Sequence, residues 1–206
     1  MSRLVIVGAG GHGVVVAEAA AEMENWDEIV FLDDNPRVNS VAHFSIVGTT
    51  EKLAGNEISN AEVIVAIGNN RDRLELSARA LHEGHRLAVV VHPRSCISPS
   101  ATISPGTAIC AGAIINARVS VDHCCIVNTA ATIDHDCKIG QGAHLSPGAH
   151  LGGNVTVGEC AWIGIGASVR DGVDIGDNAI VGAGSAVVSD IEASSVVGGV
   201  PARGLG

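Results

Sequence analysis

The sequence predicts two architectures in one chain: an α/β, Rossmann-like domain over residues 1–92, then a parallel β-helix of hexapeptide repeats over residues 93–206. Two observations predict the second part. From Ile97 to Val187 every sixth residue is Ile, Leu or Val, and the register never slips over sixteen positions. Four residues after each comes a small or β-branched residue, as at Ala101, Thr107, Ala113, Val119, Cys125 and Ala131. A six-residue period with two inward positions is the pattern of a hexapeptide β-helix. A third observation predicts the first part. Strand-like and helix-like runs alternate there: Leu4–Val7, His12–Met23, Ile29–Leu32, Val63–Ile67, Arg71–Glu83 and Leu87–Val91. That spacing is the layout of a small doubly wound parallel sheet.

The elements follow in order. Gly84 stands where the second helix should stop. His92-Pro93 marks the exit from the first domain. Three hexapeptides make one triangular coil of about eighteen residues, so the repeat gives about five coils. Solenoids of this class coil left-handedly, against the usual crossover preference. The residue after each apolar one is expected at a corner with positive φ, which Asn116, Asp122, Asn128, Asp134, Gly140 and Gly152 would tolerate. Gly198-Gly199-Val200-Pro201-Ala202 reads as an ordered turn after the repeat.

Charge and composition exclude several classes. A net charge of −10 with no Lys/Arg cluster argues against a nucleic-acid surface. Apolar stretches such as Val14–Ala21, with Glu18 inside, are too short to span a membrane. The N-terminus runs directly into a strand without a signal-peptide layout. Six Cys lack a framework spacing, and Cys125 and Cys137 sit at inward positions. The expectation is reduced, buried thiols in a cytoplasmic protein.

The first strand ends in Gly8-Ala9-Gly10-Gly11-His12-Gly13, a G-x-G-x-x-G loop opening a helix. Such a loop brings backbone N–H groups and a helix N-terminus to a pyrophosphate. Asp33 lies twenty residues past Gly13 and closes a second strand, where a ribose-reading acid would sit. This domain is about half a full dinucleotide fold, and no hydride-transfer domain follows. A mononucleotide or nucleotide-sugar therefore fits better than a nicotinamide cofactor. A glycine turn without ligand is the remaining reading, and it would not need His12. Ile67-Gly68-Asn69-Asn70 ends another strand at the same carboxyl edge, where ligands gather. It also reads as a strand terminator followed by a helix N-cap.

In the solenoid, His135 stands at an outward corner between Asp134 and Asp136. A neighbouring carboxylate holds an imidazole in one tautomer and keeps it able to accept a proton. Gly153 is eighteen residues further on, one coil away at about 5 Å, so its N–H is placed to help form an oxyanion site. His144 is also read as outward, nine residues from His135 and hence half a coil away. The two cannot share a site within one prism, but they converge if prisms pack side by side as a trimer. A metal reading would rest on resemblance to the hexapeptide carbonic anhydrases, whose zinc is held by three His across a subunit interface. That would need two His five residues apart in one coil and a third about two coils away, and His123, His135, His144 and His150 are 12, 9 and 6 apart. No metal is expected.

In order, G-A-G-G-H-G, F-L-D-D (Phe31–Asp34), A-I-G-N-N-R (Ala66–Arg71), H-P-R-S-C-I-S-P-S (His92–Ser100), N-T-A-A-T-I-D-H-D (Asn128–Asp136) and G-V-P-A (Gly199–Ala202) span nearly the whole chain. In this combination it resembles the bacterial sugar acetyltransferases of the NeuD/PglD type. The resemblance implies acetyl-CoA as co-substrate, a nucleotide-linked amino sugar as acceptor, and a homotrimer with active sites between neighbouring β-helices. Carried across by motif, Gly10, Gly11, His12, Asp33, Asp34 and Gly68 would contact the nucleotide-sugar, with Asn69 and Asn128 on the same substrate side. His135 would be the base, Asp136 its orienting acid, and Gly153 the support for the thioester oxygen. His144, Ile165 and Ala183 would contact acetyl-CoA. Asp136 departs from members that carry Glu there. The expected reaction is N-acetylation of a nucleotide-linked 4-amino-4,6-dideoxy sugar, UDP before GDP, for surface glycans. O-acetylation of a sialic-acid-like sugar is the first rival, and a non-catalytic nucleotide-sugar sensor the second.

Overall fold

The structure, a computed structural model, describes residues 2–36, 40–58 and 60–205. The N-terminal part is a six-stranded sheet with two long helices. Its elements are β1 (Arg3–Val7), α1 (Gly11–Met23), β2 (Glu28–Leu32), β3 (Ser40–Val41), β4 (Phe44–Gly48), β5 (Glu62–Val65), α2 (Asn70–His82) and β6 (Arg86–Leu87), in the sheet order β3-β4-β2-β1-β5-β6. β1 is central, with Val5 paired to both Val30 and Val63, and Leu4 to Val7 are buried. A strand covered on both faces reads as an unbroken aliphatic run, which is why Leu4–Val7 was legible.

Two elements differ from the sequence reading. β4 adds a parallel strand beside β2 that the pattern did not signal, because its residues are only half-buried. The run Leu87–Val91 is split: β6 ends the α/β sheet, while Val90–Val91 pairs with Ala108–Ile109 and is the first rung of the solenoid. Ala88 turns the chain between them, and its N–H still bonds the Val63 carbonyl.

The solenoid is a left-handed parallel β-helix with three faces. The first face carries Val90–Val91, Ala108–Ile109, Ile126–Val127, His144–Leu145, Trp162–Ile163, Ile180–Val181 and Val196–Gly198. The second runs from Cys96–Ile97 to Ala186–Val187, and the third from Thr102–Ile103 to Asp174–Ile175. The apolar sixth residues and the small residues four further on fill one continuous core, including Cys125 and Cys137. Each buried aliphatic side chain stabilises by about 1.5–3 kcal/mol, repeated coil after coil. After Val196–Gly198 the chain turns back, and Arg203–Gly204 pairs antiparallel with it.

The corner rule needs correcting. Positive φ falls on the third residue after each apolar one, not the first: Arg118, Cys124, Ala130, Asp136, Asn154, Cys160 and Asn178 are left-handed, as are Gly142 and Gly166. The first position wants glycine for a different reason. A Cβ on Gly140 would lie 2.8 Å from Glu159 N, and one on Gly152 2.7 Å from Asp171 N, in the next coil. At three of the positions that carry Asn or Asp the side chain turns back on the next residue: Asn128, Asp122 and Asp134 accept from the N–H groups of Thr129, His123 and His135, while Asn116 donates to Asp134 in the next coil.

Candidate active site

The Gly-rich loop closes β1 and opens α1, whose N-cap is Gly10. It lines a cavity of about 430 Å³ together with Asp33, Asp34, Thr50, Ile67 and Gly68. Gly10, Gly11, His12, Asp33, Asp34 and Gly68, all singled out from the sequence, meet there. Asp33 ties the loop, its Oδ2 accepting from Ala9 N at 2.8 Å and its Oδ1 from Asn35 N at 2.8 Å. Asp34 accepts from the backbone N–H and hydroxyl of Thr50. Asn69 caps α2, its side-chain oxygen accepting from Arg71 N and Asp72 N.

His144 projects outward from the first face of the prism, as expected, but it is not exposed there. Only 8% of it is accessible, because the α/β domain covers it with His12 at a ring separation of 6.4 Å. On its other side it stacks on Trp162 at 5.6 Å and 8°. Asn128 Nδ2 donates to His144 Nε2 at 3.2 Å, which leaves the proton on Nδ1. That Nδ1 and Nε2 of His12 are buried without a partner. Burial, aided by the nearby Arg73 cation, pushes His12 down to about 4 and His144 to about 3, so both are neutral imidazoles at neutral pH. The nucleotide loop and the first solenoid face thus meet at two uncharged rings.

Next to His144, the corner between the first and second faces carries Thr129, Pro147, Ile165 and Ala183 in register, as the bonds Gly148 N to Thr129 O, Gly166 N to Pro147 O and Gly184 N to Ile165 O record. Ile165 is 61% exposed and Ala183 is exposed, so the column is open to a long ligand lying along the prism. Trp162 Nε1 donates to Ser146 Oγ beside it, at 2.8 Å. A second cavity, of about 600 Å³, lies between the start of α2 and Trp162, Asn178 and Ile180.

His135 sits at the corner after Thr132–Ile133, on the second face, apart from His144 on the first. Its side chain is 50% exposed. Nδ1 lies 2.7 Å from Asp136 Oδ2, which assigns the proton to Nδ1 and leaves Nε2 as an acceptor. Arg118 grips the same carboxylate with Nε at 2.6 Å and Nη2 at 2.7 Å, and with His135 it holds Asp136 down at about 2. The carboxylate is therefore shared: it orients the imidazole and gives part of its charge to Arg118. The ring rests over Gly153, where a Cβ would come within 2.7 Å of His135 Cε1. The Gly153 N–H has no hydrogen-bond partner among the described residues.

Comparison with known proteins fits these parts together. The PglD N-terminal domain profile matches residues 3–80, and the bacterial transferase hexapeptide profile matches residues 154–188. The acetyltransferase domain of PglB from Neisseria gonorrhoeae is 43% identical, with 98% of this chain and 99% of that chain covered at a TM-score of 0.96. The chain belongs to the NeuD/PglD-type sugar acetyltransferases. PerB from Caulobacter crescentus, a structure with CoA and GDP-perosamine, is 38% identical over 98% of this acetyltransferase and 97% of that chain, with a TM-score of 0.93. WeeI from Acinetobacter baumannii, at 24% identity over both whole chains and a TM-score of 0.90, shares the fold.

Sequence reasoning about this acetyltransferase missed Arg118, Trp162 and Arg73. The first two had a signal: Arg118 is eighteen residues before Asp136 and Trp162 eighteen after His144, one coil in each case. Arg73 had none, since the partners that tie it to the solenoid are the carbonyls of Cys124 and Gly142, far along the chain. Among the described residues no group of three or more His, Cys, Asp or Glu is arranged to hold a metal. No described helix is long and apolar enough to cross a membrane.

Proposed function

We propose that the chain transfers the acetyl group of acetyl-CoA to the amine of a nucleotide-linked 4-amino-4,6-dideoxy sugar, at sites shared between chains of a homotrimer. The observation that carries this reading is the His135–Asp136 pair at 2.7 Å, lying over Gly153, whose N–H has no partner among the described residues. His135 Nε2 takes the proton from the sugar nitrogen as that nitrogen bonds to the thioester carbonyl carbon. The carbonyl oxygen gains charge, which the Gly153 N–H stabilises. The carbon–sulfur bond then breaks, and the departing CoA thiolate takes the proton from His135 Nε2, which returns the imidazole to its starting state. No covalent enzyme intermediate is needed, and Cys125 and Cys137, fully buried in the core, take no part.

The nucleotide occupies the cavity under the Gly-rich loop, with its diphosphate at the N-terminus of α1. Acetyl-CoA lies along the column of Ile165 and Ala183 beside His144 and Trp162. His135 and His144 stand on different faces of one prism, which supports a site completed by a neighbouring chain. UDP is the first expectation for the nucleotide, and the GDP-perosamine complex of the Caulobacter relative makes GDP the second arm of the test. The test is thiol release from acetyl-CoA with UDP- and GDP-linked 4-amino sugars beside a free sialic acid. Turnover with one nucleotide-linked amine and none with the free acid is expected. Turnover only with the sialic acid would move the chain to O-acetylation and leave the nucleotide cavity without a role.

A further inference from the structure

Among the described residues Arg73 is the largest fully buried side chain, 1% accessible, and none of its hydrogen-bond partners there is a carboxylate. Burying a guanidinium without a counter-ion costs several kcal/mol unless its donors are all met. Here they are met by oxygens of both domains. Nη1 donates to Ile67 O at 2.8 Å, with Gly68 O and Asn69 O at 3.4 Å. Nε donates to Cys124 O at 2.8 Å and Nη2 to Gly142 O at 2.7 Å. Nη2 also reaches Asn70 Oδ1 at 2.8 Å, and Asn70 Nδ2 in turn donates to Cys160 O at 2.9 Å.

The solenoid acceptors form a column. Cys124, Gly142 and Cys160 follow at eighteen-residue intervals and are the left-handed residues of one corner. Their carbonyls are not used by the coil ladder, where Gly142 N and Cys160 N instead bond His123 O and Gln141 O. Leu74 packs on the same corner, with its Cγ only 2.8 Å from where a Gly142 Cβ would stand. So Arg73 and Asn70 register the first turn of α2 against three successive coils. The other end of the guanidinium holds the Ile67–Asn69 loop, whose Ile67 and Gly68 line the nucleotide cavity.

We propose that Arg73 is a positioning residue for the transfer: it locks the Ile67–Asn69 loop to the solenoid corner and so sets where the nucleotide-sugar sits relative to His144 and the acetyl-CoA column. The assignment rests on the nucleotide-sugar reading above. It differs from a general packing role because its effect falls on one substrate. The Arg73 charge also adds to the burial that lowers His12 and His144 and leaves both imidazoles neutral.

The experiment compares the wild type with Arg73→Lys and Asn70→Ala. Lys keeps the charge as one point donor and cannot hold Ile67, Cys124 and Gly142 together. Two readouts are taken on each full chain: hydrogen exchange of the segment 66–72 against the solenoid coils, and calorimetric titration with UDP, GDP and CoA. In Arg73→Lys, exchange of 66–72 is expected to rise roughly tenfold or more with the coils unchanged. Affinity for the bound nucleoside diphosphate should fall roughly tenfold, and CoA affinity should stay within about threefold. Asn70→Ala should move both in the same direction by less. Unchanged exchange at 66–72 overturns the proposal, and so does an equal weakening of nucleotide and CoA. If the wild type binds neither UDP nor GDP, the nucleotide-sugar reading fails on its own, and the exchange comparison alone decides whether Arg73 holds the loop.

Discussion

Chains carrying His135→Ala are expected to lose kcat by roughly 10²–10⁴-fold, about 3–5 kcal/mol of transition-state stabilisation, while folding and CoA binding stay intact. The asymmetry follows from where the side chain lies. His135 is at an exposed corner and contributes nothing to the solenoid core, so its removal leaves the coils packed. Its backbone carbonyl still accepts from Asn154 N. What is lost is the imidazole Nε2, the acceptor proposed to take the substrate proton while Nδ1 is committed to Asp136. KM for acetyl-CoA should hardly change, because the column proposed to hold it is on another face. Steady-state kinetics with a melting curve on the same preparation checks this. Near-normal kcat would remove His135 from the chemistry, and a collapsed melting curve would place it in the core after all.

The second large effect separates two glycines of one loop. A Cβ on Gly13 would be driven into the Gly8 carbonyl oxygen and to within 3.2 Å of the buried Phe31 ring. Gly8 cannot give way easily, since its φ is +103° and its N–H is fixed to Leu32 O at 2.8 Å. Gly13→Ala should therefore destabilise the α/β domain by roughly 1–3 kcal/mol and abolish nucleotide binding with it. A Cβ on Gly10 meets nothing within 4 Å, and its φ of −77° suits any residue. Gly10→Ala should leave the denaturation midpoint unchanged and still weaken UDP or GDP binding roughly tenfold or more, because the methyl group would narrow the approach of the proposed diphosphate to the helix N-terminus. Denaturant titration and calorimetry read the two effects apart. Full nucleotide affinity in Gly10→Ala would mean that no ligand comes to that loop.

Legibility in the sequence tracked local periodicity. The solenoid was readable because inward positions recur every six residues, and α1, α2, β1 and β2 because each is a long or fully buried run. β4 was not readable, since a half-buried strand next to the sheet edge, covered on one side only by the two-residue β3, shows no clean alternation. Positive φ was assigned two residues too early at each corner because glycine there was read as a backbone requirement, when it answers the close approach of the next coil. In the site, the residues lining the nucleotide cavity and the His135–Asp136–Gly153 cluster came from motif and coil spacing. The burial of His144 did not, because the covering residue, His12, belongs to the other domain. Arg118 and Trp162 lay one coil from residues already named, so the eighteen-residue rule that placed Gly153 would have reached them.

The most direct measurement is NMR of the product formed from acetyl-CoA and whichever nucleotide-linked 4-amino sugar is turned over. A single acetamide on the sugar nitrogen, with the nucleotide still attached, is expected. An acetyl ester on a hydroxyl, with the amine left free, would contradict it.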